Sequence, residues 1–507
     1  MEISPQDSMS ILSALSSSIA RPDLHDILQQ SVRRNAVVGH RVSEERSELF
    51  SKAALDAVAC MCVDKPYGQS VAVSYSHHPD SVYVWVATNS TDGNSTPEAL
   101  EKYIRSIWDT LASVPQVKEL SARLALLLKL GQIVYGRCFR RIYHRVSTFH
   151  ADFLAVVKHA RTMDPPPKKE YLDFLEVVQE IIIMLRELYR IDKVLPDETW
   201  LLVAKLMTSL YTITSPSSFK IFLAAGFEES ETYHNQNERK NKQPFSFTQY
   251  INTLMELQLR IDVLFDIAAA PRTCSIFKKK LRVIIVEPPP FIGPTRHSRE
   301  TLLRCLCSAY DNVHTNKETE KGEVENRLKE TIPKLLDTLM SYDDAASSQG
   351  HCPESILLLH HHNQNNDLTP YPYVGTSAPP CYGCVVFFDA YNSVVTRDMR
   401  WCTRRTHHHI RPWCLPGRFI VRNGVETGSK VTDVRVQQGF LHTVKYAVGS
   451  IVHRASRPPS PAPPLEDGGN EGVSCALIPP KTQEGVSEES NQSIKLTVKL
   501  PSKGKEG

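Results

Sequence analysis

Pro380-Cys381-Tyr382-Gly383-Cys384 sets two cysteines three positions apart. At the start of a helix such a pair shares one face, so both sulfurs can reach one metal ion, zinc above all. The positive end of the helix dipole also favours the thiolate form that a metal needs. A dithiol redox pair and two unrelated buried thiols are the competing readings. Upstream, His351-Cys352-Pro353-Glu354 offers a third ligand and a carboxylate. Proline suits the first helical position, where its missing N–H does no harm. Cys352 would then cap a helix, with Glu354 in its first turn. Cys352 is therefore the expected third ligand and His351 the alternative. Three thiolates carry more negative charge than a set containing histidine, which leaves a bound water less acidic unless a nearby cation compensates.

A glutamate beside a metal held by three protein ligands is the arrangement that removes an amine from a nucleobase by hydrolysis. The carboxylate takes a proton from activated water and hands it to the departing amine. The signature is H-x-E followed by P-C-x-x-C, and cysteine can stand in for the histidine. Ile356-Leu357-Leu358-Leu359 supplies the apolar helix that would carry Glu354 into a core.

The segment resembles the OTT-type deaminase-like family, common in fungi, within the cytidine-deaminase-like zinc superfamily. Tyr371-Pro372-Tyr373-Val374-Gly375-Thr376-Ser377 matches that family's Tyr-Pro-Tyr-Ile-Gly-x-Ser stretch ahead of the Cys-x-x-Cys pair. Thr406-His407 and Trp413-Cys414-Leu415-Pro416 match its later Thr-His and Trp-x-x-Pro segments. Residues 350–417 carry the resemblance. Two positions depart from the pattern: Pro353 lengthens the family's His-Cys-Glu triplet, and Ala378 replaces a lysine. The resemblance implies Zn2+ on Cys352, Cys381 and Cys384, proton transfer by Glu354, and His407 facing the site. It further implies a sheet flanked by helices, with a hairpin ahead of the glutamate helix whose second strand ends in an asparagine that touches substrate. Asn89 holds that place here.

The elements that must position these residues follow from periodicity. Two alternating runs, 69–75 and 81–87, flank His77-His78-Pro79-Asp80 and predict the hairpin. Residues 23–63 read as helical, as do 119–146, 169–191, 197–213, 247–270, 322–342 and 439–453; 281–286 and 418–422 read as strands. The expected fold is a mixed α+β or α/β chain, a cytidine-deaminase-like three-layer core with a large, mainly helical insertion or N-terminal domain. The insertion reading is preferred. The expected division is a flexible segment 1–20, a helix and hairpin 21–96, a helical region 97–343, a deaminase-like zinc domain 344–456 and a disordered tail 457–507. Proline, serine, glutamate and glycine dominate that tail, which cannot bury enough apolar surface to fold.

A net charge of +3 over 507 residues does not by itself mark a nucleic-acid binder. Locally, however, Arg397, Arg400, Arg404, Arg405, Arg411, Arg418 and Arg422 interleave with Trp401 and Trp413. Arginine with aromatics suits phosphate contact and base stacking, against the plainer reading of a solvated basic surface. Asn89, His407, Arg405 and Trp413 are thus the expected substrate contacts. The runs His360-His361-His362 and His407-His408-His409 read as solvated apart from His407, because consecutive histidines cannot all face one metal. Cys60, Cys62, Cys305 and Cys307 read as core thiols, and Cys402 and Cys414 as buried or free thiols in preference to a second metal pair. With no apolar run long enough to span a bilayer and no signal-like start, the expected setting is intracellular, cytoplasmic or nuclear. The leading functional reading is a zinc-dependent hydrolytic deaminase of a nucleobase, nucleotide or nucleic acid. The runner-up is an inactive deaminase fold with structural zinc that acts as a binding protein, and the third an unrelated helical scaffold.

Overall fold

The computed structural model describes residues 5–16, 21–35, 46–90, 96–162, 169–189, 197–214, 247–288, 298–314, 331–335, 337, 351–364, 368–396, 399–404, 410 and 429–455. In chain order the elements are α1 (Pro5–Ser16), α2 (Arg21–Asn35), α3 (Arg46–Met61), β1 (Val71–His77), β2 (Ser81–Thr88), α4 (Pro97–Ser113), α5 (Leu120–Thr148), α6 (His150–Thr162), α7 (Lys169–Tyr189) and α8 (Asp197–Thr214). There follow α9 (Phe247–Ala269), α10 (Cys274–Phe277), β3 (Lys280–Val286), α11 (Arg299–His314), α12 (Pro353–Asn363), β4 (Tyr373–Thr376), α13 (Tyr382–Val394), β5 (Cys402–Thr403) and α14 (Ser429–Ala455). Contacts divide the chain into a unit 1–458 and a unit 459–507, the second wholly outside the described residues. The strand expected at 418–422 and the tail 457–507 also lie outside them, as does all of the 322–342 helix except 331–335 and 337.

Strand alternation sets the layers. Val71, Val73, Val82, Val84 and Val86 face one core, while Ala72, Trp85 and Ala87 face another. The first core is closed by α3 to α9, the second by α1, α2 and α11 to α14. Among the described residues the fold is therefore mixed α/β, mostly helical, around a five-stranded sheet of order β3-β2-β1-β4-β5. β1 is antiparallel to both its neighbours, whereas β2/β3 and β4/β5 pair in parallel. The hairpin thus shares a sheet with β4 of the cysteine-bearing segment, through Ala72↔Thr376 and Val73↔Gly375. β3, which ends the run of helices α4 to α10, returns to pair with β2 along seven residues. At its start the outer edge of β3 is engaged by α4, since the Trp108 indole donates to the Lys279 carbonyl and the Arg105 guanidinium to the Leu281 carbonyl.

Two features depart from the expected picture. Residues 1–20, expected to be flexible, contain α1, whose Met9, Leu12 and Leu15 are fully buried. Serines between those positions lower the local hydrophobicity and hide a stripe with three-residue spacing. Cys305 is half-buried and Cys307 exposed, so neither is a core thiol, whereas Cys60 and Cys62 are buried as expected. Among the described residues no helix is long and apolar enough to cross a membrane.

Candidate metal centre

Two helix N-termini meet at the cysteines. Cys352 is the N-cap of α12, with φ −69° and ψ 128°, and Pro353 occupies the first turn. Cys381 is the N-cap of α13, with φ −70° and ψ 164°. Serine, threonine, aspartate and asparagine are the usual residues there because their oxygens cap the helix. Neither cysteine side chain does so, which keeps both sulfurs for other partners. Cys384 lies one turn into α13, as the three-residue spacing requires.

The ligand atoms of Cys352, Cys381 and Cys384 all lie within 4.8 Å of one another. The Cys352 and Cys381 sulfurs are 3.7 Å apart. That is far too long for a disulfide, which needs about 2.05 Å. Two thiolates about 2.3 Å from a tetrahedral zinc would stand about 3.8 Å apart, so the spacing fits a metal-ligand pair. The cluster can hold a metal ion. Cys381 and Cys384 are buried and Cys352 half-buried. As bare thiols Cys352 and Cys384 resist ionisation: the hydrogen bond with Cys381, and then burial, push Cys352 well above the ordinary thiol range, and burial does so for Cys384. A cation is what would hold the set as thiolates.

Glu354, 5% exposed, directs its Oε2 at the cluster and accepts from the Cys384 thiol at 3.6 Å. His351 is also buried, but its nitrogens are not among the clustered ligand atoms. The geometry places Cys352, not the alternative His351, beside Cys381 and Cys384.

The Tyr-Pro-Tyr motif turns out to tie this centre to the rest of the sheet. Asp56 of α3 accepts from the Thr376 N–H at 2.9 Å and from the Tyr373 hydroxyl at 3.1 Å. Burial raises the Asp56 carboxyl above its usual range, and the Thr376 N–H opposes that rise. Ser377 donates its N–H to the Val71 carbonyl at 2.9 Å, and its hydroxyl oxygen accepts from the Val71 N–H at 2.9 Å. Four residues later the chain reaches Cys381. Asp56 was not anticipated from the sequence, since its partners lie more than 300 positions away.

The expected substrate contacts fare unequally. The Asn89 amide accepts from the Ser70 N–H at 2.8 Å and donates to the Gly68 carbonyl at 2.7 Å. It thereby fixes the loop that leads into β1, at the end of the hairpin where Val71 meets Ser377. Arg405, His407 and Trp413 lie outside the described residues, as do Arg397, Arg411, Arg418, Arg422 and Cys414. Cys402 is exposed. Trp401, read as part of a stacking surface, is instead 6% exposed. Its ring stacks on His361 at 4.9 Å, and Asn392 holds its backbone at both N–H and carbonyl.

His360, His361 and His362 are half-buried, not solvated. His361 packs edge-on to Trp85 at 4.8 Å and meets the Ser74 hydroxyl at 2.7 Å. Burial, with His360 adding, pushes its pKa down to about 3. The folded-state pKa is below the unfolded value near 6.5, so the unfolded chain takes the proton first as pH falls. This group's contribution is complete above about pH 6.5 and declines as pH falls toward 3, by at most about 1.4 kcal/mol per pH unit. Asp389 has the opposite sign, because burial raises it to about 6. We therefore expect His361→Gln to flatten the fall of the urea midpoint between pH 6.5 and 4.5, and an unchanged slope would reject a buried neutral imidazole.

Residues 351–417 match the family model of OTT-type deaminase-like proteins, a cytidine deaminase-like family. No curated protein and no solved structure matched the chain.

Proposed function

With residues 351–417 of the cytidine deaminase-like type, we propose that the protein is a zinc-dependent hydrolytic deaminase of an exposed nucleobase, free, in a nucleotide or within nucleic acid. The observation that carries this reading is the Glu354 carboxylate, buried and turned onto the three-cysteine cluster. Cys352, Cys381 and Cys384 would hold the ion and leave one of four positions open. Zinc bound there supplies Lewis-acid activation of water.

The chain's own residues do the rest. Glu354 accepts a proton from the attacking water and delivers it to the departing amine. The step balances: water oxygen bonds to the ring carbon and the exocyclic C–N bond breaks, one proton of the water joins the amino group so that ammonia leaves, and the other remains on the ring nitrogen of the carbonyl product. Ile356, Leu357 and Leu358 are buried on the same helix, which carries Glu354 into the core. The N-termini of α12 and α13 bring two positive dipole ends to a site crowded with negative charge. They supply part of the compensation that three thiolates demand. We place the protein in a reducing intracellular setting, cytoplasmic or nuclear, where a cluster of cysteines is kept for metal rather than for disulfides.

The second reading, a silent fold with structural zinc that binds a partner, draws on Pro353, which intervenes between Cys352 and Glu354 where the family has none. Metal analysis comes first. We expect one zinc per chain, lost in Cys384→Ala together with a marked fall in the melting midpoint. Freshly purified protein without metal would sink both readings. Ammonia release from a panel of cytosine and adenine substrates then separates them, because a zinc-loaded protein inert on every substrate leaves only the silent fold.

A further inference from the structure

Lys278-Lys279-Lys280 lie where α10 ends and β3 begins, opposite Arg105, Trp108 and Asp109 of α4. The two sides enclose a groove of about 620 Å³. Its floor is aromatic: the Trp108 and Phe277 ring centroids are 4.8 Å apart with an interplanar angle of 48°. The floor is also fixed, since the indole N–H donates to the Lys279 carbonyl at 3.3 Å.

The rim is cationic. Lys278 and Lys280 are exposed, and the Lys279 ammonium is anchored on the His78 carbonyl at 2.7 Å. Arg105 bonds the Leu281 carbonyl at 3.0 Å and engages Glu101, so that carboxylate is already spent. Among the lining residues Asp109 is the one acid. Two residues beyond Lys280, the Arg282 guanidinium sits 5.6 Å over the Tyr83 ring. His77 next door is pushed below its ordinary range by burial and then by the Lys279 charge, so the positive field reaches beyond the groove itself.

We propose that this groove binds a nucleotide, free or within a single strand, with its base against Trp108 and its phosphate on Lys278 and Lys280. Flexible lysines bind phosphate as point charges, and base stacking on an aromatic ring adds about 1–3 kcal/mol per base. A polyanion without rings would leave the aromatic floor unused. The volume is in the range of small-molecule sites, about 300–1,000 Å³.

The groove is not the metal centre. Lys280 pairs with Ser81 at one end of β2, and Thr88 stands seven residues away at the other, about 23 Å by strand rise. The cysteine cluster belongs to the Thr88 end, through the Val71–Ser377 bonds. A ligand here would tether or modulate and would not react. The inference stands apart from the proposed deamination.

The test is a calorimetric titration of the full chain with adenosine triphosphate, with a short oligothymidylate and with inorganic tripolyphosphate. We expect at least one of the first two to bind, more tightly than tripolyphosphate and more weakly at high salt. The double substitution Lys278→Glu, Lys280→Glu should weaken that binding by at least about tenfold, equivalent to about 1.4 kcal/mol. Both side chains are exposed, so its melting midpoint should hold. Binding of the triphosphate alone identifies a free nucleotide, and of the oligonucleotide alone a strand. No binding by either, equal binding of tripolyphosphate, or full binding by the double variant would overturn the proposal.

Discussion

Replacing Glu354 by glutamine is expected to cut ammonia release by about 10²–10⁴-fold, the range typical of losing a general acid-base group. The substitution keeps side-chain volume and a polar end beside Cys384, so neither packing nor the cysteines need change. It removes only the capacity to take up a proton. Metal content and melting midpoint should therefore match the parent while turnover collapses. Equal rates in the two proteins would show that any chemistry here runs without this carboxylate. A variant that also lost metal would instead mean that Glu354 holds the cluster together, which favours the structural-zinc reading.

The parts of the site that sequence made legible are those whose geometry is local. Cys381 and Cys384 sit three apart on α13, and Pro353 fixes where α12 starts and so where Glu354 falls. These relations need no knowledge of the rest of the fold. The hairpin was legible for the same reason, although β1 runs two residues further than its apolar alternation indicated, because His77 still pairs with Val82. What remained hidden depends on distant partners. Asp56 looks like any acid on an amphipathic helix until β4 is laid against it. His361 looks like one of three solvated histidines until Trp85 and Trp401 close over it. Trp401 is a single tryptophan amid arginines, and only the Asn392 clamp shows that it turns inward. The motif at 371–377 was legible as a pattern but not as a device. Its residues serve to lash β4 to α3 and β1, and none of them is a metal ligand.

That lashing makes Gly375→Ala the most damaging small substitution we expect. A Cβ at Gly375 would stand 2.4 Å from the Leu55 carbonyl carbon, 2.5 Å from the Leu55 Cβ and 2.8 Å from the Asp56 nitrogen. Two of these are backbone atoms, so no rotamer change relieves the clash, and α3 must move off β4. Overpacking of this kind costs about 1–3 kcal/mol. The shift also pulls Asp56 from the Thr376 N–H and the Tyr373 hydroxyl, and hydrogen bonds to a charged group contribute about 1.5–3 kcal/mol each. The sum, about 4 kcal/mol or more, is a large share of a typical stability of 5–15 kcal/mol. The expected result is a melting midpoint lower by about 10 °C, or insoluble protein. Because Ser377 and the chain to Cys381 hang from the same strand, metal occupancy should fall with it. Gly439→Ala provides the contrast. Its Cβ, on α14, would meet only Ala390 of α13, with the nearest atom at 3.5 Å, an ordinary contact. Removing a mid-helix glycine there should stabilise the protein by up to about 1 kcal/mol. If the two variants melt alike, α3 does not press on β4 as closely as Gly375 requires.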